Sequence, residues 1–170
     1  MPGENTVNGL IIAAPSSGSG KTVVTLGVLA HLKARGVRVA SMKSGPDYID
    51  PAFHARATGL ACFNADSWAM RASTLMAAAA TAGEDADLVV CEGVMGLFDG
   101  ASATEGSTAD IAHRTGWPVI LVVDSRAQGA SAAALVKGFD TYRDSVNIAG
   151  VIFNRVGSAR HQRVIREAMA

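Results

Sequence analysis

Ala14-Pro15-Ser16-Ser17-Gly18-Ser19-Gly20-Lys21-Thr22 separates two apolar segments of different character. Leu10-Ile11-Ile12-Ala13 leads in as a short strand-like run. Val23, Val24, Leu26, Val28, Leu29 and Leu32 lead out at helix-compatible spacing. Strand, glycine-rich loop and helix, with Gly-Lys-Thr at the junction, is the order of a phosphate-binding P-loop. The glycines let backbone N–H groups turn inward around an anion, and the helix points its positive N-terminal end at the same place. Ser17, Gly18, Ser19, Gly20, Lys21, Thr22 and Val23 are therefore the candidate nucleotide-binding residues. Lys21 is placed to reach the β- and γ-phosphates of ATP, and the Thr22 hydroxyl to ligate Mg²⁺. The first glycine of the general pattern, five residues before Gly20, is replaced by Pro15.

The bulk composition narrows the setting. A chain of 170 residues fits one domain with a sizeable core. Fifteen basic and fifteen acidic side chains balance, so no charge surplus points to nucleic acid. No apolar run has the length of a membrane span, so no membrane partner is expected. Met1 to Asn8 is short and polar without a signal-peptide pattern, which predicts a cytoplasmic protein. Cys62 and Cys91 are too few for a disulfide framework and are expected to be small buried residues.

Outward from the loop, the chain alternates strand-like and helix-like runs. Strands are predicted at Gly9 to Ala14, Val37 to Lys43, Asp87 to Cys91, Pro118 to Val123 and Ile148 to Phe153. Helices are predicted at Gly20 to Arg35, Ala52 to Thr58, Met70 to Ala82, Thr108 to Arg114, Ala130 to Tyr142 and from Ser158 to Ala170, with Ser107 as an N-cap. Ser44 to Pro51 is a loop stiffened by two prolines, and Leu60 to Ser67 is read as irregular. The alternation predicts an α/β, P-loop NTPase-like three-layer fold with a mainly parallel sheet. The strands are apolar throughout, as strands covered on both faces are.

Ligands of such sheets bind beyond the C-terminal ends of the strands. After the P-loop, the strand exits present Asp47, then Glu92 with Asp99, then Asp124, then Asn154. The opposite edge carries little beyond glycines. Glu92, in a loop stripped of side chains by Gly93, Gly96 and Gly100, is a candidate Mg²⁺-organising carboxylate, with Asp99 beside it. Asp47 is a candidate for metal or substrate. Asp50 either joins it or caps the helix that starts near Pro51. Asn154, with Arg155, either pairs with an adenine edge or serves a turn. Asp124 either supports the metal or caps a turn. His31, His54, His113 and His161 share no spacing and are assigned no catalytic role. Trp68 and Trp117 are read as packing residues.

Three stretches then add up to a family. The Ala14–Thr22 loop, Lys43-Ser44-Gly45-Pro46-Asp47-Tyr48-Ile49-Asp50-Pro51 and Glu92-Gly93-Val94-Met95-Gly96-Leu97-Phe98-Asp99-Gly100 resemble the cobyrinic acid a,c-diamide synthase family of cobalamin biosynthesis, including its hydrogenobyrinic acid-using members. Asn64-Ala65-Asp66, Gly106-Ser107-Thr108-Ala109 and Asn154-Arg155-Val156 add to the likeness, and Pro15 agrees with it. The resemblance implies a dethiobiotin synthetase-like fold and an ATP- and glutamine-dependent ligase. Such an enzyme activates the a and c acetate carboxylates of a corrinoid as acyl phosphates and amidates them. It also implies Lys21, Asp47, Glu92 and Asp99 as catalytic residues, with Thr22, Asp47 and Glu92 as the metal-organising set. Tyr48, Ile49, Asp50, Ser107 and Thr108 are the implied substrate-binding residues. Family members carry a C-terminal glutaminase domain with a cysteine nucleophile, and neither cysteine here sits in such a turn. Residues 1–170 are therefore expected to be the ATP-binding synthetase domain, incomplete at its C-terminus, of a longer enzyme. A homodimer stays open.

Two readings compete. A dethiobiotin synthetase-like enzyme would also phosphorylate a carboxylate but lacks the Gly-Pro-Asp-Tyr-Ile-Asp-Pro loop. A partitioning-type ATPase would act as a dimerising switch, and the Ser16 position, where that branch carries an extra lysine, argues against it. A nickel-tetrapyrrole amidating relative shares the same motifs.

Overall fold

The computed structural model describes residues 7–170, so the Met1–Asn8 reading falls outside it up to residue 6. The elements follow as β1 (Gly9–Ala13), α1 (Lys21–Ala34), β2 (Val39–Ser44), α2 (Asp50–Thr58), β3 (Cys62–Ala65), α3 (Ala72–Gly83), β4 (Leu88–Glu92), α4 (Thr108–Thr115), β5 (Val119–Asp124), α5 (Ser131–Tyr142), β6 (Ile148–Asn154) and α6 (Ala159–Met169). The strands form one sheet in the order β3-β2-β4-β1-β5-β6. Every pairing is parallel.

The apolar strands are explained by two cores. Alternate residues of β1 face opposite ways. Ile11 and Ala13 join Met42, Leu75, Val89, Ile111 and Val136 on one side. Ile12 joins Leu29, Val39, Val90 and Val122 on the other. Helices α3, α4 and α5 thus cover one face and α1 the opposite one, giving three layers. Trp117 is buried, lies over Gly9 and donates its indole N–H to the Val7 carbonyl at 3.0 Å. Any side chain at Gly9 would collide with that ring.

One segment departs from the sequence expectation. Within Leu60 to Ser67, Cys62–Ala65 is an edge strand, registered so that Ser41 faces Cys62 and Ser44 faces Ala65. Four residues carrying an asparagine give little pattern of their own, and pairing with β2 decides their conformation. Trp68 departs too: it is 59% exposed, not packed. Among the described residues, no helix is long and apolar enough to cross a membrane.

Candidate active site

Strand β1 lies in the middle of the sheet with β4 on one side and β5 on the other. Its exit is where the connections diverge, which is where open α/β sheets bind their ligands. The P-loop occupies that exit. Gly18 and Gly20 take φ values of +80° and +94°, a region closed to most side chains. A Cβ at Gly20 would also run into the Asn154 amide. Ser19 Oγ donates to the Ser16 carbonyl at 2.9 Å and folds the loop on itself. From the far strand, Asn154 Nδ2 donates to the Ser19 carbonyl at 2.9 Å, and Arg155 Nη1 donates to the Gly18 carbonyl at 2.8 Å.

The lysine at the start of α1 is buried and its Nζ donates to the Met95 carbonyl at 2.6 Å. Burial, and then the nearby Lys43, hold the Lys21 amine below the ordinary lysine range. Next to it, Thr22 Oγ1 donates to Glu92 Oε1 at 2.5 Å and lies 3.5 Å from Asp50 Oδ2.

Glu92 is the hub. It is the last residue of β4, where Ile12 of β1 and Lys43 of β2 are its register partners on the two neighbouring strands. Its side chain is fully buried. Lys43 Nζ reaches Glu92 Oε1 at 3.0 Å and Asp50 Oδ2 at 2.7 Å, with Asp47 Oδ2 at 3.8 Å. On the other carboxylate oxygen, His54 Nε2 sits at 2.7 Å. Burial alone would raise the Glu92 carboxyl. The His54, Thr22 and Lys43 contacts more than offset that and hold it below the usual carboxylate range. Burial likewise opposes the charge on Lys43, and Asp50 and Glu92 overcome it, so this amine is raised. His54 is buried too, which alone would lower it; contacts with Cys62 and Glu92 lift it to about 9.

The structure thus joins two residues that the sequence reading left out. Lys43 stands at the exit of an apolar strand, and that placement is a signal available in the sequence. His54 is visible only through the fold, because α2 turns it inward beneath β4.

Several expected roles change with the geometry. Of Thr22, Asp47 and Glu92, the first and last meet, and Asp50 joins them more closely than Asp47. Asp47 Oδ1 accepts from the backbone N–H groups of Ile49 and Asp50, at 2.8 and 3.1 Å, and shapes the loop. Those bonds outweigh burial and lower its pKa. Tyr48 and Ile49 stand at the rim, 89% and 69% exposed. Ser107 and Thr108, expected to touch substrate, are fully buried. Ser107 forms a capping box with Asp110, and Thr108 Oγ1 accepts from Val94 N–H at 3.2 Å. They set the course of the loop after β4. Asp99 is exposed and accepts from the Gly96 N–H at 3.0 Å, closing a turn beside the lysine. Asn154 Oδ1 accepts from Arg155 N–H, so both ends of its amide are engaged with backbone. Asp124 binds Arg155 at 2.6 Å and Arg126 at 2.8 Å. These arginines depress its pKa strongly.

A solvent-open cavity of about 340 Å³ runs along the P-loop to Lys43, Glu92 and Met95. No group of three acidic, histidine or cysteine side chains forms a ready metal cage among the described residues. Lys43 stands between the carboxylates instead. Mg²⁺ needs no such cage. It keeps waters and binds through one or two carboxylates plus substrate phosphates, and a hydroxyl flanked by Glu92 and Asp50 fits that mode.

Known proteins resemble this chain in sequence. The profile of the CobQ/CobB/MinD/ParA nucleotide binding domain matches residues 10–170. Hydrogenobyrinate a,c-diamide synthase of Rhizobium meliloti is 56% identical over 164 residues, covering 96% of this chain. The proteins of the same name from Brucella anthropi and Mesorhizobium japonicum are 54% and 52% identical over the same share of this chain. The chain spans 38% of the length of these curated relatives. With its P-loop, parallel sheet and a profile match over residues 10–170, the chain belongs to the CobQ/CobB/MinD/ParA nucleotide binding domain family.

Proposed function

We propose that residues 1–170 form the ATP-binding synthetase domain of an amidoligase of cobalamin biosynthesis. Its substrate is (hydrogeno)cobyrinic acid, and its task is to activate the a and c acetate carboxylates. The observation that supports this most is the meeting of Lys21, Thr22, Lys43, Asp50 and Glu92 at one strand edge. In the reaction, a carboxylate oxygen attacks the γ-phosphorus of ATP and the bond to ADP breaks. Ammonia then attacks the carbonyl carbon of the acyl phosphate and expels phosphate, leaving the amide. The part of the relatives that lies outside this chain would supply that ammonia from glutamine.

The chain's own residues perform defined tasks. P-loop N–H groups bind and orient the phosphates, with Asn154 and Arg155 fixing the loop from behind. Lys21 exchanges the Met95 carbonyl for phosphate oxygens and neutralises the charge that moves with the phosphoryl group. Lys43 is held protonated, and it can turn from Asp50 toward the entering carboxylate or the transferring group. His54 holds Glu92 in place. Thr22 Oγ1, Glu92 and Asp50 would hold Mg²⁺, which when bound neutralises phosphate charge and fixes the in-line geometry. Tyr48 and Ile49 line the rim where a bulky substrate enters.

Calorimetry tests the reading. MgATP binds the chain, and Lys21→Ala weakens it by roughly a hundredfold, the loss of a charge-assisted contact of about 3 kcal/mol. Hydrogenobyrinic acid then triggers ADP formation. Unchanged MgATP affinity in the variant would remove the nucleotide assignment, and ADP formation indifferent to the corrinoid would remove the substrate assignment.

A further inference from the structure

The first strand exits hold the phosphate chemistry, but the loops after β3 and β4 build a second recess whose contents the reaction leaves unused. It has a volume of about 480 Å³ and opens between the start of α3 and the exposed side of α4. Trp68 forms one wall. Its indole is 59% exposed, although tryptophan is highly buried on average. Its position is built. Asp66 Oδ1 accepts from the N–H groups of Trp68 and Ala69, at 2.9 and 3.0 Å, and turns the chain so that the indole faces outward. Ser67 Oγ donates to the Ser107 carbonyl at 3.1 Å, fastening this turn to the loop after β4. Gly106, at φ +86°, passes so close that a Cβ there would lie 3.2 Å from the Trp68 Cβ. The indole is thus supported from below and open above.

The remaining walls carry two arginines. Arg71 and Arg114 line the recess and enter no ion pair among the described residues. His113 stands beside them. Of the two acids in the lining, Asp110 is already bonded to Arg143 and to the Ser107 N–H, which leaves only Glu105 opposed to two guanidinium groups. An aromatic face that shares its recess with two guanidinium forks unpaired among the described residues fits a flat ligand with carboxylates at its edge, since arginine pairs with carboxylates bidentately. The loop that carries Met95 against Lys21 at its start carries Gly106 against Trp68 at its end. One segment, the loop after β4, therefore connects the two sites.

We propose that the Trp68–Arg71–Arg114 recess binds the macrocycle edge of the substrate, pairing with carboxylates that are not being amidated. This rests on the corrinoid reading given above. It would keep the ring in place while the reacting carboxylate is exchanged.

Equilibrium dialysis of hydrogenobyrinic acid against the chain tests it. Trp68→Ala should weaken binding roughly fivefold and Arg71→Ala/Arg114→Ala roughly tenfold or more, from the loss of stacking and of charge-assisted bonds. The heptamethyl ester, which removes the carboxylates, should bind the wild-type chain no better than the double variant binds the acid. MgATP affinity of each variant serves as the folding control. Equal affinity in wild type and both variants, or no measurable binding to wild type, overturns the recess as a substrate site. Binding that depends on the three residues without any corrinoid-dependent ADP formation overturns the amidoligase reading and leaves the recess standing.

Discussion

Glu92 has no solvent contact, yet it carries a charge that Lys43, His54 and Thr22 stabilise together. Removing that charge strands two buried cations. Glu92→Gln should therefore lower stability by about 3 kcal/mol in urea unfolding, near the cost of breaking a buried pair, and should abolish Mg²⁺-dependent nucleotide tightening. His54 gives a second prediction at this scale. Its folded pKa near 9 lies above its ordinary 6.5, so its contribution is complete below about pH 6.5 and is lost as pH rises through 9. On the order of 3 kcal/mol is at stake. Unfolding free energy measured from pH 6.5 to 9.5 should fall more steeply in wild type than in His54→Gln; parallel curves would contradict the pairing. Of the three partners of Glu92, Thr22 was legible as chemistry in the sequence, Lys43 only as a residue at a strand exit, and His54 not at all. Lys43 acquires its role from the β2–β4 register and His54 from the way α2 packs, and both are facts of three-dimensional pairing.

At the scale of elements, the P-loop is positioned by β6 as much as by β1. Asn154 and Arg155, at the end of β6, hold two of its carbonyls. Asn154→Ala should lower MgATP affinity several-fold with a stability loss of only about 1 kcal/mol, the net worth of a hydrogen bond. Calorimetry and urea unfolding of one preparation separate the two effects. The start of α4 behaves oppositely. Ser107 caps it from a fully buried position, so Ser107→Ala should cost about 1–2 kcal/mol of stability and change MgATP affinity little. The strand–loop–helix around Gly20-Lys21-Thr22 was legible because each residue type there has one dominant use. The edge strand Cys62–Ala65 was not, since four residues at a sheet edge take their conformation from the neighbour they pair with.

Over the whole molecule, chemistry gathers on one edge of a parallel sheet, and that much follows from reading which residues leave each strand. The sheet order explains why those exits cooperate. β4 and β5 flank β1, so Glu92 and Asp124 bracket the P-loop although about 30 residues separate them in the chain. Which acid faces the nucleotide could not be read from spacing: Asp47 and Asp50 share a loop, and backbone hydrogen bonds decide that the first shapes it while the second meets Thr22. The reaction proposed for this edge is transfer of a phosphoryl group to a carboxylate. Hydrogenobyrinic acid labelled with ¹⁸O in its carboxylates, incubated with the chain, MgATP and ammonium, tests this directly through the isotopic content of the phosphate released. Wild type should release ¹⁸O-labelled phosphate, and Lys21→Ala none. Unlabelled phosphate released at the same rate as ADP would contradict that transfer.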